Sequence, residues 1–239
     1  MINTKNNSQK SIFAFIFARG GSKGIYKKNI KELNGYPLIA YSIRSALENE
    51  YIDEVYVSTE DDEIAAISEE YGAKVPFKRP SELATDDSPE WLSWRHAMEY
   101  FSEKGMLPDI MISLPTTSPL RSNSDINQCL EKLVSDDCDG VITISKNKRH
   151  PMFNMIKMNK SGLVSLFTEG EEKVTRRQDA PTAYDITTVA YALNTDFLLN
   201  SDNIFQGKIR AVEIPEERSI DIDTEFDFQM TSNILEKNE

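Results

Sequence analysis

Cysteine and histidine are scarce in these 239 residues, at two of each. Cys129 and Cys138 have no second pair to join, and His96 and His150 are the only imidazoles. That excludes a zinc finger and a disulfide framework. Positive charge is also in deficit, with 27 Lys and Arg against 39 Asp and Glu and a net charge of −12. Sequence-independent binding of nucleic acid across the surface is thereby excluded. No run approaches the roughly 20 apolar residues of a membrane span, and the polar opening Met1 to Lys10 lacks the apolar core of a signal peptide. The expectation is an unexported protein of the reducing cytoplasm, with neither nucleic acid nor membrane as partner.

What is present suits one substantial core, since 39% of residues are hydrophobic and 9% aromatic. We expect a polar tail over residues 1–10 and one domain over 11–239. Ser11 to Ala18 is a continuous apolar run of the length of a strand buried on both faces, and it ends in the Gly-rich stretch Arg19 to Gly24. A helical stripe follows over Pro37 to Leu47, then a short strand at Val55 to Ser58. The alternation continues through helices at Asp61 to Tyr71, Pro89 to Phe101 and Ser124 to Val134, with strands at Asp109 to Leu114 and Gly140 to Ser145. Serial β-α alternation predicts an α/β three-layer α/β/α Rossmann-like sandwich, its sheet mostly parallel and its ligand beyond the carboxyl ends of the strands. Over roughly 150–190 the pattern loosens, and that segment reads as a hairpin arm projecting from the domain. The chain closes with a strand at Ile209 to Ile214, an alternating Ser219 to Asp223, and a helix from Thr224 to about Leu235.

Four groups of residues carry candidate chemistry. Arg19 to Asn29 concentrates four cations and three glycines directly after the first strand of an acidic chain. Glycines let backbone N–H groups close on an anion, Ser22 adds a hydroxyl, and the cations match a di- or triphosphate, the alternative being a solvated Gly and Lys loop. The spacing fits neither a P-loop nor a GxGxxG fingerprint. In Asp221-Ile222-Asp223, strand alternation sends both carboxylates to one face, which is either a hard-oxygen site for Mg²⁺ or the solvated face of an edge strand. Leu114 to Arg121 holds three hydroxyl residues between two prolines, a rigid loop that suits a polyol or serves as a structural turn. Arg176-Arg177-Gln178 and Arg79 could grip a carboxylate or phosphate, or simply be solvated. On one helix, Trp91 and Trp94 read as core and His96 as a packing or surface residue.

In this order the motifs resemble the acylneuraminate cytidylyltransferase family, the CMP-sialic acid and CMP-nonulosonic acid synthetases, over roughly Ile12 to Leu235. The matching stretches are Ala18 to Gly24 with Lys28-Asn29, Arg79 to Ala84, Thr117 to Arg121, Arg176 to Gln178 and Asp221 to Thr224. The resemblance implies a nucleotidyltransferase fold that dimerises through its arm, and transfer of CMP from CTP to an α-keto sugar acid with Mg²⁺. It makes Ala18, Arg19, Gly20, Gly21, Ser22, Lys28, Asn29 and Arg79 nucleotide-binding, with Arg19, Ser22, Lys28 and Asp221 catalytic. It makes Asp221 and Asp223 the metal pair, and Thr116, Thr117, Arg176 and Gln178 the sugar side.

Three positions depart from that pattern. Tyr26 replaces a usual proline, Leu114-Pro115-Thr116-Thr117 replaces Leu-Gln-Pro-Thr, and Thr187-Thr188 stand where Asn-Gly is common. Two of the three fall on the sugar side, so a legionaminic- or pseudaminic-like acid is expected rather than N-acetylneuraminate. The alternatives are a nucleotidyltransferase for another acceptor, such as a sugar phosphate or phosphonate, and a non-catalytic nucleotide-binding protein.

Overall fold

The computed structural model describes residues 10–22, 24–168, 176 and 180–237. Residues 1–9 of the polar tail, Lys23, Arg177 and Gln178 lie outside them.

Strand β1 (Ile12–Phe17) shows why the domain has two cores. Its alternating side chains send Ile12, Ala14 and Ile16 to one face and Phe13, Phe15 and Phe17 to the other. Next, β2 (Glu32–Leu33) and β3 (Tyr36–Pro37) form a hairpin whose turn residues Asn34 and Gly35 both have positive φ, 45° and 83°. That is the turn geometry Asn-Gly favours. Helix α1 (Leu38–Leu47) buries Leu38, Ile39, Ile43 and Ala46, the stripe expected from the sequence. Strand β4 (Glu54–Ser58) leads to α2 (Asp62–Glu70), capped by the Asp61 side chain, and then to α3 (Glu90–Glu103) and β5 (Ile110–Ser113). Helix α4 (Asn123–Ser135) opens with a capping box between Ser122 and Asp125. After β6 (Gly140–Lys146), β7 (Ile156–Met158) and β8 (Val164–Leu166) pair with each other. The long β9 (Tyr184–Asn194), α5 (Thr195–Asn200), β10 (Ile209–Glu213) and α6 (Glu225–Glu236) complete the chain.

The main sheet runs β10-β6-β9-β5-β1-β4. β1 is parallel to β4 and β5, and β10 to β6, while β9 is antiparallel to both its neighbours. On one face Ile39 and Ile43 of α1, Ile64 of α2 and Ile126 and Leu130 of α4 pack on the strands. On the other, Trp91, Trp94, Met98 and Phe101 of α3 and Leu198 of α5 pack on Phe15, Tyr56 and Met111. The three-layer, mostly parallel α/β sandwich is therefore the fold.

A third cluster, Ile25, Leu33, Leu38, Ile222 and Phe228, ties the Gly-rich loop to α1, α6 and the segment before α6. That segment corrects one expectation: residues 219–223 form no strand. Their backbone has other partners, since Ile222 N–H donates to Thr117 O at 2.9 Å and Ile222 O accepts from Lys28 Nζ at 2.6 Å. The alternation survives as burial only, with Ile222 buried while Asp221 and Asp223 line a cleft.

Candidate active site

A cleft of about 360 Å³ opens beyond the carboxyl ends of β1 and β5, where a ligand of a parallel sheet is expected. It gathers Arg19, Gly21, Ser22, Lys28, Asn29, Arg79, Thr116, Thr117, Asp221 and Asp223 from positions up to two hundred residues apart. Ala18 and Gly20 support it without lining it: Ala18 N–H donates to Ser58 O at 3.1 Å, and Gly20 N–H to Glu60 Oε1 at 2.7 Å. Arg176 is exposed and outside the lining. Two glycines of the loop are needed for close approach. A Cβ on Gly24 would overlap the Asp223 carbonyl oxygen, and one on Gly20 the Asp61 carboxylate.

Among the described residues of the loop, two cations that line the cleft are already paired. Arg19 Nη2 meets Asp86 Oδ1 at 2.6 Å, and Lys28 Nζ meets Asp223 Oδ1 at 3.0 Å. Lys28 thus bridges the loop to the carboxylate segment. Asn29, in the 3-10 turn Lys28–Ile30, is buried; its Nδ2 donates to Arg19 O at 2.8 Å and its Oδ1 accepts from Thr116 Oγ1 at 2.5 Å. Arg79 is buried beneath the cleft wall, with Nε donating to Ser58 Oγ at 3.1 Å and Nη2 to Ser58 O. Burial pushes its guanidinium down to about 10, against the pull of Glu60 and Glu90, so it stays charged at neutral pH.

The floor is set by a β-bulge. Pairing of β9 with β6 jumps from Tyr191↔Ile142 to Thr187↔Thr143, leaving Thr188, Val189 and Ala190 unpaired. Thr143 Oγ1 repairs the ladder, donating within 3.1 Å of Thr187 O and Ala190 O while accepting from Ala190 N–H. Buried Arg121 donates from Nε to Val189 O at 2.8 Å and from Nη2 to Pro115 O at 2.5 Å, locking the bulge to the Pro115 to Thr117 turn. Thr188 therefore enters the cleft beside Thr117, their hydroxyls 3.2 Å apart.

Asp221 is half-buried, and enclosure raises its carboxyl above the ordinary range, with Asp223 adding to the rise. The hydroxyls of Thr117 and Thr188 and the Lys28 ammonium oppose it. Its Oδ1 is buried with no hydrogen-bond partner. A buried, unpartnered carboxylate oxygen beside a second, exposed carboxylate fits a hard divalent cation. Among the described residues no cluster of three or more protein ligands forms. Such an ion would take one or two carboxylates here and complete its shell with phosphate and water, the habit of Mg²⁺.

Sequence reading missed three acids of this cleft region, Glu60, Asp86 and Glu90. Each sits in a loop or at a helix start, with no motif to mark it. Thr188 stands out in the sequence only as a departure, and the bulge that aims it comes from strand register, which one chain's residue pattern does not reveal.

A cytidylyltransferase family profile matches residues 13–237. The chain is 34% identical to the post-translational flagellin modification protein B of Campylobacter coli, over 95% of this chain and 96% of that one. It is 34% identical to CMP-N,N'-diacetyllegionaminic acid synthase of Campylobacter jejuni, covering 94% of each. In fold it is similar to CMP:2-keto-3-deoxy-manno-octonic acid synthetase complexed with CTP, with a TM-score of 0.71 and 18% identity over 96% of this chain and 100% of that one. With the profile spanning nearly its whole length, this chain belongs to the cytidylyltransferase family.

Proposed function

We propose that the protein transfers CMP from CTP to the anomeric hydroxyl of an α-keto sugar acid, a nonulosonic acid of the legionaminic or pseudaminic kind, for surface glycan synthesis. One observation carries this reading: a single cleft sets Arg19, Ser22 and Lys28 opposite Asp221 and Asp223, with Asp221 Oδ1 left unpartnered. Similarity to a legionaminic acid synthase supports the acceptor class.

Arg19, Ser22 and Lys28 hold the triphosphate, while Asn29 and Arg79 fix the nucleoside end. Asp221 and Asp223 would hold Mg²⁺, which would offset phosphate charge and favour ionisation of the attacking hydroxyl. The anomeric oxygen bonds to the α-phosphorus in line as the bond to the β-phosphate oxygen breaks. Its proton passes to Asp221, and Lys28 offsets the charge that gathers on departing pyrophosphate. Thr116, Thr117 and Thr188 line the acceptor side; Arg176, exposed and outside that lining, and Gln178, outside the described residues, are its further contacts in this reading. The working unit is a cytoplasmic homodimer joined through the part of the 150–190 segment that precedes β9 and includes the β7 and β8 hairpin, since residues from Tyr184 onward belong to the main sheet.

The test is pyrophosphate release with Mg²⁺ and CTP across N-acetylneuraminate, legionaminate, pseudaminate and 3-deoxy-octulosonate, with an acceptor-free control. Release confined to a legionaminic- or pseudaminic-type acid is the expected result. Preference for N-acetylneuraminate overturns the acceptor assignment, and release with no acid overturns the reaction.

A further inference from the structure

The peptide group between Arg19 and Gly20, at the root of the Gly-rich loop, has both of its polar atoms engaged within the protein. Its carbonyl oxygen accepts from Asn29 Nδ2 at 2.8 Å, and its N–H donates to Glu60 Oε1 at 2.7 Å. A peptide is planar, so holding it at both ends fixes its orientation. Ala18 N–H donates to Ser58 O at 3.1 Å, which ties the same stretch to the end of β4. The Gly20 Cα is closed off as well, since an added Cβ would overlap the Asp61 carboxylate. Gly21 differs: it lines the cleft, and an added Cβ there meets nothing within 4 Å. Within one residue the chain passes from a clamped peptide to backbone open to the cleft.

Glu60 lies in the turn between β4 and the Asp61 cap of α2, and it does not line the cleft. A carboxylate behind an anion-binding loop opposes the charge of the anion, so charge alone gives no reason for a glutamate here. What it supplies is a strong acceptor, because an N–H bond to an ionised oxygen is about twice as strong as one to a neutral oxygen. Holding it has a cost, since Glu60 Oε2 is buried without a hydrogen-bond partner. The buried Arg79 guanidinium offsets part of that charge, and Glu60 in turn favours the charged form of Arg79. A carboxylate kept there at that cost, with its other oxygen on the Gly20 N–H, is explained by the need to hold that peptide.

We propose that Glu60 is a positioning residue for the triphosphate: by holding the Gly20 N–H away from the cleft, it turns the Arg19 side chain and the N–H groups of Gly21 and Ser22 toward the β- and γ-phosphates. The Gly20 N–H is then no phosphate donor, and the expectation that Gly20 binds the nucleotide directly gives way to an indirect role. This rests on the nucleotide reading of the cleft given above. Losing the charge-assisted bond frees the root of the loop, so phosphate affinity should fall about 10-fold.

The experiment measures equilibrium binding of CTP, CMP and inorganic pyrophosphate, with the KM for CTP and for the best acid, in wild type, Glu60→Gln and Glu60→Met. Glu60→Met keeps the side-chain length and removes the acceptor, and should weaken CTP and pyrophosphate about 10-fold. CMP, which lacks the β- and γ-phosphates, and the KM for the acid should change less than about 3-fold. Glu60→Gln keeps an acceptor oxygen and should stay within about 3-fold of wild type for every ligand. Should Glu60→Met not fold, Glu60→Ala is held to the same criteria. Unchanged CTP affinity in the variant without an acceptor overturns the proposal. Equal weakening of CMP and CTP overturns it too, by assigning Glu60 to the general shape of the cleft. So does Glu60→Gln matching Glu60→Met, which traces the effect to charge beside Arg79. Wild-type protein that binds neither CTP nor pyrophosphate refutes the nucleotide reading together with this inference, whereas wild-type binding that the variants leave unaltered refutes only the inference.

Discussion

Arg19 meets its carboxylate before any nucleotide arrives. Its ion pair with Asp86 leaves both side chains about one-third exposed, at 34% and 39%, so the pair is part-screened and modest in worth. A triphosphate that engages Arg19 must displace Asp86 or add to it, and each choice costs affinity through competition or like-charge repulsion. Replacing Asp86 with Asn should therefore lower the KM for CTP by about 1.5- to 5-fold, the span of a part-exposed pair, with kcat little altered. A higher KM in steady-state assays would instead make Asp86 a contact of the nucleotide. The same exchange operates at Lys28, whose ammonium sits on Asp223 where a divalent cation would add its charge. Arg19, Ser22 and Lys28 were legible as anion binders because glycine and charge cluster after an apolar strand. Their resting partners were not, because Asp86 and Asp223 are supplied by distant loops.

At the scale of elements, the position of Asp221 depends on an ion pair buried behind it. Arg218 closes the 3-10 turn Glu216–Arg218, and its guanidinium donates twice to Asp125 at the start of α4, at 2.8 and 2.9 Å. Burial pushes the Asp125 carboxyl up, but Arg218 and the backbone and hydroxyl of Ser122 outweigh it and hold the group below the usual range. A depressed carboxylate contributes stability above its unfolded value and loses it as pH falls through the folded one. Arg218→Met leaves a fully buried Asp125 without its cation. The cost should be about 3 kcal/mol at pH 7, near the low end for a broken buried pair because Arg218 keeps a third of its side chain in water. Urea unfolding should show the gap to wild type narrowing once pH drops below the ordinary aspartate range, where Asp125 takes a proton. A gap that stays constant with pH would assign the loss to packing. This pair also explains the misread strand at residues 219–223. Ser-Ile-Asp-Ile-Asp has strand periodicity, but between the Arg218 anchor, the Thr117 carbonyl and the Thr224 cap of α6 its backbone is satisfied without a sheet partner. The helices and the parallel strands, in contrast, were legible because each carries its own apolar period over several residues. Glu90 and the β9 bulge were not, since neither leaves a mark until the sheet is assembled.

For the whole molecule, the outlying hairpin of β7 and β8 poses the remaining question. Among the described residues its two strands pair only with each other, and an isolated two-stranded ribbon is marginal in water. Its apolar side chains nevertheless face outward: Met158 is 71% and Leu163 70% exposed, with Ile156, Val164 and Phe167 also more than half exposed. A continuous apolar ribbon outside the core is the kind of surface a second copy covers in an isologous contact. Met158→Lys combined with Val164→Asp should leave the sandwich folded, since neither residue belongs to its core clusters. Sedimentation should then shift from dimer to monomer. Because the residues expected on the sugar side at Arg176 and Gln178 follow this hairpin in the chain, losing the dimer should raise the KM for the sugar acid well before that for CTP. Equal losses for both substrates would mean that each protomer builds its pocket alone, and a wild-type chain that sediments as a monomer would remove the partner altogether.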